Sequence, residues 1–148
     1  MLCKNTAFNI YFFMMLGSSF ILFPTDSSLI KTINAEDTLI CIIDQEKPSI
    51  IMGSMDVCPY CNSIYPTFER LAQKYPHIQF VKADGKKCNM HKTVERESKG
   101  TYKIIGYPAF VLVAHKEIKN LLLGGNPKAL EAAVKEFNDL LQASNMHT

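Results

Sequence analysis

The sequence predicts an α/β fold in which a mixed central sheet is flanked by helices. Apolar runs at Ile50–Met52 and Ala109–Ala114 have the length and composition of buried strands. Amphipathic segments with helical spacing alternate with such runs along the chain. Two strand candidates separated by a turn precede the last helix, so the expected element order is β-α-β-α-β-α-β-β-α.

The first elements follow from local signals. Leu29–Ile33 is a short strand candidate, and Asn34 can cap a helix over residues 36–46 whose first turn is acidic. Residues 39–43 are rich in β-branched side chains, so a strand is the alternative for that segment. Pro48 ends this element, and Ser49–Ser54 is expected to be a buried central strand.

The middle of the chain continues the alternation of helices and strands. Residues 59–75 have apolar side chains on one helical face, and Pro66 is expected to kink that helix. A strand over residues 78–83 follows, and the stretch from Asp84 to Gly100 is highly charged. This middle part therefore predicts one amphipathic helix, one strand and one polar segment.

The C-terminal part predicts a hairpin and a closing helix. Strands are expected at Ala109–Ala114 and Leu121–Leu123, with the sheet ending at the glycines that follow. Asn126 can cap the helix, and Pro127 suits its first turn. The helix is expected to reach about Leu141, with an apolar inner side formed by Leu130, Val134, Phe137, Leu140 and Leu141.

Length and charge limit the classes of function. The chain has 148 residues and a formal net charge of +2, which is room for one domain and too little charge to indicate nucleic-acid binding. No run of Lys and Arg is longer than two residues. We therefore expect no nucleic-acid partner.

Residues 1–27 resemble an export signal. Lys4 precedes the apolar segment 7–23, and polar residues follow Pro24. The apolar segment is longer than a usual signal core and just long enough to span a bilayer, so an uncleaved membrane anchor is the alternative. We expect residues 28–148 to form the domain, located in the periplasm after secretion or anchored to the inner membrane on that side.

The most informative motif is Cys58-Pro59-Tyr60-Cys61, between a buried strand and a helix. The partial positive charge and free N–H groups of a helix N-terminus stabilise a thiolate at the first sulfur. Cys58 is then the nucleophile and Cys61 the resolving thiol. Two alternatives remain open: a structural bridge, and a zinc site completed by Cys88 and His91.

Further residues give a specific resemblance. Cys58-Pro59-Tyr60-Cys61 is identical to the motif of dithiol glutaredoxins, while Pro66, Tyr107-Pro108 and Gly124 lie at the spacings of thioredoxins. The chain from residue 29 to 142 is thus similar to the thioredoxin superfamily. The resemblance implies a thioredoxin fold, a redox-active disulfide between Cys58 and Cys61, and no metal or cofactor. It also implies a cis-proline at Pro108, with Tyr107, Pro108 and Tyr60 in contact with the substrate.

Other positions depart from the thioredoxin pattern. Met52 stands where thioredoxins carry a buried acid, and Val57 stands where they carry tryptophan. Tyr60 is neutral, and residues 54–65 contain no Lys, Arg or His. A strong oxidase needs a much more stabilised thiolate. We therefore expect a middling potential and a reductase or isomerase of exported proteins, served by a membrane redox partner.

Two rival functions remain at this stage. One is an oxidase that donates disulfides, and the other is a non-catalytic module that binds a metal or assists assembly. The stretch from Asp84 to Pro108 is longer than in thioredoxins. It is either a solvated surface helix or a partner-binding insertion in which Cys88 is an extra redox thiol.

Overall fold

The computed structural model describes residues 29–145, so the expected signal or anchor lies outside the described residues. Within them, the order of elements confirms the predicted β-α-β-α-β-α-β-β-α pattern. The elements are β1 Ile30–Ile33, α1 Glu36–Ile43, β2 Ser49–Ser54, α2 Pro59–Lys74, β3 Gln79–Asp84, α3 Met90–Glu97, β4 Ala109–Ala114, β5 Glu117–Leu123 and α4 Pro127–Asn145.

The five strands form one mixed sheet in the order β1-β3-β2-β4-β5. β3 pairs in parallel with β1 and β2, while β4 pairs antiparallel with β2 and β5. The central strands β2 and β4 are buried along their whole length, which explains their nearly continuous apolar sequences. The carboxyl end of β2 therefore lies in the middle of the sheet.

A hydrophobic cluster covers each face of the sheet. Alternate residues of β2 face opposite sides, so Ile50 and Met52 join the cluster beneath α2 and α4, while Ile51 joins the one beneath α1 and α3. Phe68 of α2 packs edge-on against Phe80 of β3, with ring centroids 5.1 Å apart. α2 is thus held against the sheet by its apolar face.

The charged segment after β3 contains a surface helix, as one of the two alternatives expected, but one face of that helix is packed. Its helix α3 buries Met90, Thr93 and Val94 against the sheet, and Glu36 at the start of α1 ties it down. Glu36 accepts hydrogen bonds from Asn89, Thr93 and Arg96 at 3.2, 3.2 and 3.3 Å. These bonds, first that from Asn89, lower the pKa of Glu36. One face of α3 is therefore part of the packed domain.

The hairpin and the last helix differ from the prediction in detail. β5 begins at Glu117 rather than Leu121, because an edge strand pairs through its backbone and tolerates exposed polar side chains. On α4, Leu130, Val134, Phe137 and Leu141 are buried, whereas Leu140 is 60% exposed. Within residues 29–145, no helix combines the length and apolar character needed to cross a membrane.

Candidate active site

Cys58 and Cys61 lie where the central strand β2 passes into helix α2. Cys58 is the N-cap residue of α2, and Cys61 lies in its first turn. A disulfide joins them, with their Cα atoms 5.2 Å apart. Pro59 occupies the first helical position, where its missing N–H removes no helical hydrogen bond. The turn therefore brings both sulfurs to the N-terminal end of the helix.

The main chain of α2 points a hydrogen-bond donor at the first sulfur. The N–H of Cys61 donates to Sγ of Cys58 across 3.2 Å. The same N–H and the partial positive charge of the helix N-terminus would stabilise a thiolate at Cys58 after reduction. This geometry distinguishes the two sulfurs, because the donor favours negative charge on Cys58.

The surroundings of the disulfide are apolar and open to solvent. The two cysteines are 8% and 3% exposed, whereas Val57 and Tyr60 beside them are 91% and 71% exposed. Ile105, three residues before Pro108, is 86% exposed. We call Val57, Tyr60 and Ile105 the apolar rim. Large apolar side chains exposed so fully, two of them next to the redox pair and one in the loop before the cis-proline, are typical of an interaction surface.

The chain before β4 forms a second part of the site. The Tyr107–Pro108 peptide bond is cis, and the carbonyl of Pro108 accepts a hydrogen bond from the N–H of Gly124 at 2.8 Å. A Cβ at Gly125 would lie 3.3 Å from the carbonyl oxygen of Tyr60 and 3.8 Å from Cγ of Pro108. The structure thus brings Tyr60 and Pro108 together across Gly125.

The side chain of Tyr107 points into the protein. Its ring is half-buried and packs against both hydrophobic clusters. Burial raises the pKa of the Tyr107 hydroxyl, and the nearby Asp84 carboxylate raises it further. The ring of Tyr107 is therefore turned toward the core of the domain.

A polar cleft reaches Cys61 from another side. It has a volume of about 300 Å³ and is lined by Cys61 together with Thr32, Asn34, Ser54, Met55, Asp56, Asn62, Lys82, Asp84 and Lys87. We call this cavity the Cys61 cleft. Its polar lining and size suit water molecules that could exchange a proton with the Cys61 thiol.

Asp84 gives the Cys61 cleft a fixed negative charge. Its carboxylate accepts hydrogen bonds from the main-chain N–H groups of Lys87 and Lys86 at 2.8 and 3.0 Å. The bond from Lys87 is the largest cause of a lowered Asp84 pKa, and the Lys87 ammonium at 3.3 Å contributes to the lowering. Asp84 therefore stabilises the turn after β3 as an ionised group and is a weak proton acceptor.

Cys88 lies apart from the redox pair. It is buried in the cluster under α1 and α3, whereas Cys58 and Cys61 belong to the opposite cluster. Its Sγ lies 3.6 Å from the carbonyl oxygen of Ile33, and burial raises its pKa. Within residues 29–145, no three His, Cys, Asp or Glu side chains are grouped as metal ligands. The zinc alternative required Cys88 beside the pair, and the fold separates them.

Several site residues were missed by sequence reasoning. Lys82 and Asp84 reach the Cys61 cleft only because β3 lies beside β2, and no local pattern signals that pairing. Gly125 lies close to Tyr60 and Pro108, so a side chain there would pack tightly against the Tyr60 carbonyl. For Gly125, the available sequence signal was its position next to the expected Gly124.

Comparison with known proteins agrees with this geometry. Residues 30–136 match the Thioredoxin family. Mitochondrial thioredoxin-3 of Saccharomyces cerevisiae is 30% identical over 96 residues, which are 65% of this chain and 70% of that protein. Thioredoxin H3 of Arabidopsis thaliana is 29% identical over 101 residues, covering 68% of this chain and 80% of that protein.

Solved structures show the same similarity. The oxidised mitochondrial thioredoxin 3 of Saccharomyces cerevisiae superposes with a TM-score of 0.60 at 25% identity, covering 72% of this chain and 94% of that one. A mutant thioredoxin of Entamoeba histolytica gives a TM-score of 0.59 at 30% identity, covering 72% and 98%. The chain therefore belongs to the thioredoxin family and is a thiol–disulfide oxidoreductase.

Proposed function

We propose that this protein reduces or reshuffles disulfides of exported proteins, with Cys58 as the nucleophile and Cys61 as the resolving thiol. The observation that carries the proposal is the N–H of Cys61, which lies 3.2 Å from Sγ of Cys58 at the N-terminus of α2. A donor aimed at one sulfur selects that sulfur as the thiolate.

The reaction conserves sulfurs and electrons in two exchanges. The Cys58 thiolate attacks a substrate disulfide, binds one sulfur and releases the other as a thiolate that takes up a proton. Cys61 then loses its proton and attacks Sγ of Cys58, which releases the second substrate thiolate. The enzyme is left with the Cys58–Cys61 disulfide seen in the structure. Water in the Cys61 cleft is the proposed acceptor of the Cys61 proton.

A protein substrate is favoured by the surface around the disulfide. The apolar rim of Val57, Tyr60 and Ile105 offers contact area for side chains that flank a substrate cysteine. The exposed backbone beside Pro108 can pair with an extended segment of the substrate. Tyr60 and Pro108, which meet across Gly125, would lie on either side of that segment.

The direction of electron flow follows from how strongly the thiolate is stabilised. The stabilisation available to the Cys58 thiolate comes from the N–H of Cys61 and from the partial positive charge at the N-terminus of α2. Asp56 is exposed and negative, and the segment 54–65 supplies no cation. We therefore propose a middling potential and a reductase or isomerase. The disulfide-donating oxidase is the second candidate.

The export assignment rests on the sequence of residues 1–27, and the periplasm is the proposed location. Because that compartment is kept oxidising, a reductase there needs electrons from a membrane redox partner. The N-terminal segment would be a cleaved signal or an anchor that holds the domain at the inner membrane.

The equilibrium potential against glutathione tests the direction. We expect a value between about −270 and −180 mV, in the range of thioredoxin and protein disulfide isomerase. A value near −120 mV would replace the reductase with the oxidase. Fractionation of cells that produce the full chain tests the location, with the domain lacking residues 1–27 as the matched control. Recovery of the full chain in the cytoplasm would contradict the proposed export.

A further inference from the structure

We propose that Tyr107 is a positioning residue whose ring edge, packed against Gly53 and Gly85, holds the backbone beside Pro108 in place for protein substrates. We call Gly53 and Gly85 the glycine notch. This inference rests on the proposed function, because it explains how the backbone that pairs with a substrate is fixed.

Gly85 leaves room for the far end of the Tyr107 ring. A Cβ at position 85 would lie 2.5 Å from Oη and 2.6 Å from Cε1 of Tyr107, closer than real Cβ atoms come to other heavy atoms. The positive-φ glycines of the described chain are Gly100 and Gly124, so backbone conformation does not require glycine at position 85. Glycine is required at position 85 because any side chain there would occupy the space of the Tyr107 ring.

Gly53 leaves further space at the same edge of the Tyr107 ring. A Cβ there would lie 2.9 Å from Cε1 of Tyr107 and 2.6 Å from Sδ of Met90. Gly53 also pairs with Ala109 across β2 and β4, next to Pro108 in the chain. Gly53 of β2 and Gly85, directly after β3, thus make room for the same edge of the ring.

The notch is fixed by main-chain hydrogen bonds. The N–H of Gly85 donates to the carbonyl of Ser54 at 2.7 Å, and the carbonyl of Gly85 accepts from the N–H of Met90 at 3.0 Å. These bonds connect the end of β2, the turn after β3 and the start of α3. The backbone against which the edge of the Tyr107 ring packs is therefore held by hydrogen bonds on both sides of Gly85.

The position of the ring sets the position of the active-site backbone. Tyr107 is bonded directly to Pro108, and its ring packs against both hydrophobic clusters. We infer that loss of this packing loosens the backbone that we propose pairs with an extended substrate. A small disulfide needs the Cys58 thiolate but no strand pairing, so the two kinds of substrate should respond differently.

The test uses the size of the notch and of the ring. Gly85→Ala overfills the notch, Tyr107→Leu underfills it, and the double variant restores part of the fit. With dithiothreitol regenerating the dithiol of the full chain, we expect each single variant to raise KM for insulin about fivefold or more. The small disulfide is instead given to the pre-reduced protein in a single turnover, without dithiothreitol. The rate with the small disulfide 5,5′-dithiobis(2-nitrobenzoic acid) should stay within about twofold of wild type. In the double variant, KM for insulin should return toward the wild-type value.

Gly106→Ala is the matched control, because a Cβ there would meet nothing within 4 Å. The inference is overturned if Gly85→Ala and Gly106→Ala change KM equally, if the double variant restores nothing, or if both substrates slow in parallel. Should Gly85→Ala fail to fold, Tyr107→Leu decides alone, since it adds no atoms to the notch. Failure of the proposed function would look different, because the wild type itself would then reduce neither substrate.

Discussion

Met52 of β2 and Lys82 of β3 lie side by side in the register of the parallel strand pair. Met52 is fully buried, and the Lys82 ammonium lies over the ring of Tyr65, 5.0 Å from its centroid. The neighbour of Lys82 on the adjacent strand is therefore the uncharged Met52. Lys82 also lines the Cys61 cleft. The redox pair therefore packs in the same hydrophobic cluster as Met52, while the polar Cys61 cleft reaches Cys61 from another side.

Replacing Met52 by an acid should destabilise the domain. Met52→Asp removes a buried apolar side chain and places a carboxyl group in its space, so we expect the free energy of unfolding to fall by about 3–5 kcal/mol. Urea unfolding measures this change. Met52→Leu, which keeps volume and polarity, is the control and should lose less than about 1.5 kcal/mol. Equal stability of the two variants would show that position 52 is not part of the packed core.

Asp84 should stabilise the fold in a pH-dependent manner. Hydrogen bonds hold its folded pKa below the usual value of about 3.9, so the unfolded chain binds its proton first as the pH falls. The stabilisation is present above pH 4 and is lost as the pH drops through the lowered folded pKa. At pH 7, Asp84→Asn should lower the free energy of unfolding by about 1–2 kcal/mol.

Urea unfolding of Asp84→Asn and wild type between pH 2 and 7 measures this dependence. The difference between the two proteins should shrink steadily below pH 4 and be smallest at pH 2. Asp56→Asn is the control, because Asp56 is exposed and the N–H groups of Lys86 and Lys87 donate to Asp84 rather than to Asp56. A difference that stays constant with pH would contradict the assigned role of the Asp84 charge.

Cys88 should be unreactive in the folded protein. Burial raises its pKa and closes access to its sulfur, so little thiolate is available for attack. After reduction, iodoacetamide should modify Cys58 in the native protein well before Cys88, as followed by mass spectrometry of peptides. Both should react at similar rates in denaturant, which is the control. Rapid native modification of Cys88 would instead support its role as an extra redox thiol.

Much of the fold was predictable because local and long-range signals agree. The apolar runs of β2 and β4 are long enough to identify buried strands, and Pro59 and Asn126 mark helix starts. Asn126 accepts hydrogen bonds from the N–H groups of Lys128 and Ala129, as expected for a cap. The redox pair was recognisable because both cysteines and the helix start lie within four residues.

The remainder depends on contacts between distant segments. The burial of α3 was not predicted, because its charged sequence hides a short apolar face and Glu36, which anchors it, lies more than fifty residues earlier. The inward direction of the Tyr107 ring depends on Gly53 and Gly85, which approach it only in the folded sheet. Strand register cannot be read from the pattern of a single sequence, so the contacts of Gly53 and Gly85 with Tyr107 could not be predicted.

The proposed mechanism depends on Cys58 as the attacking sulfur, and a trapped intermediate tests this assignment most directly. Reduced Cys61→Ser protein, incubated with insulin, should accumulate a mixed disulfide because no resolving thiol remains. Cys58→Ser is the matched control and should accumulate none between the active site and insulin. Mass-spectrometric mapping should place the adduct of Cys61→Ser at Cys58. An adduct at another cysteine, or no adduct on folded Cys61→Ser protein, would contradict the assignment of Cys58 as the nucleophile.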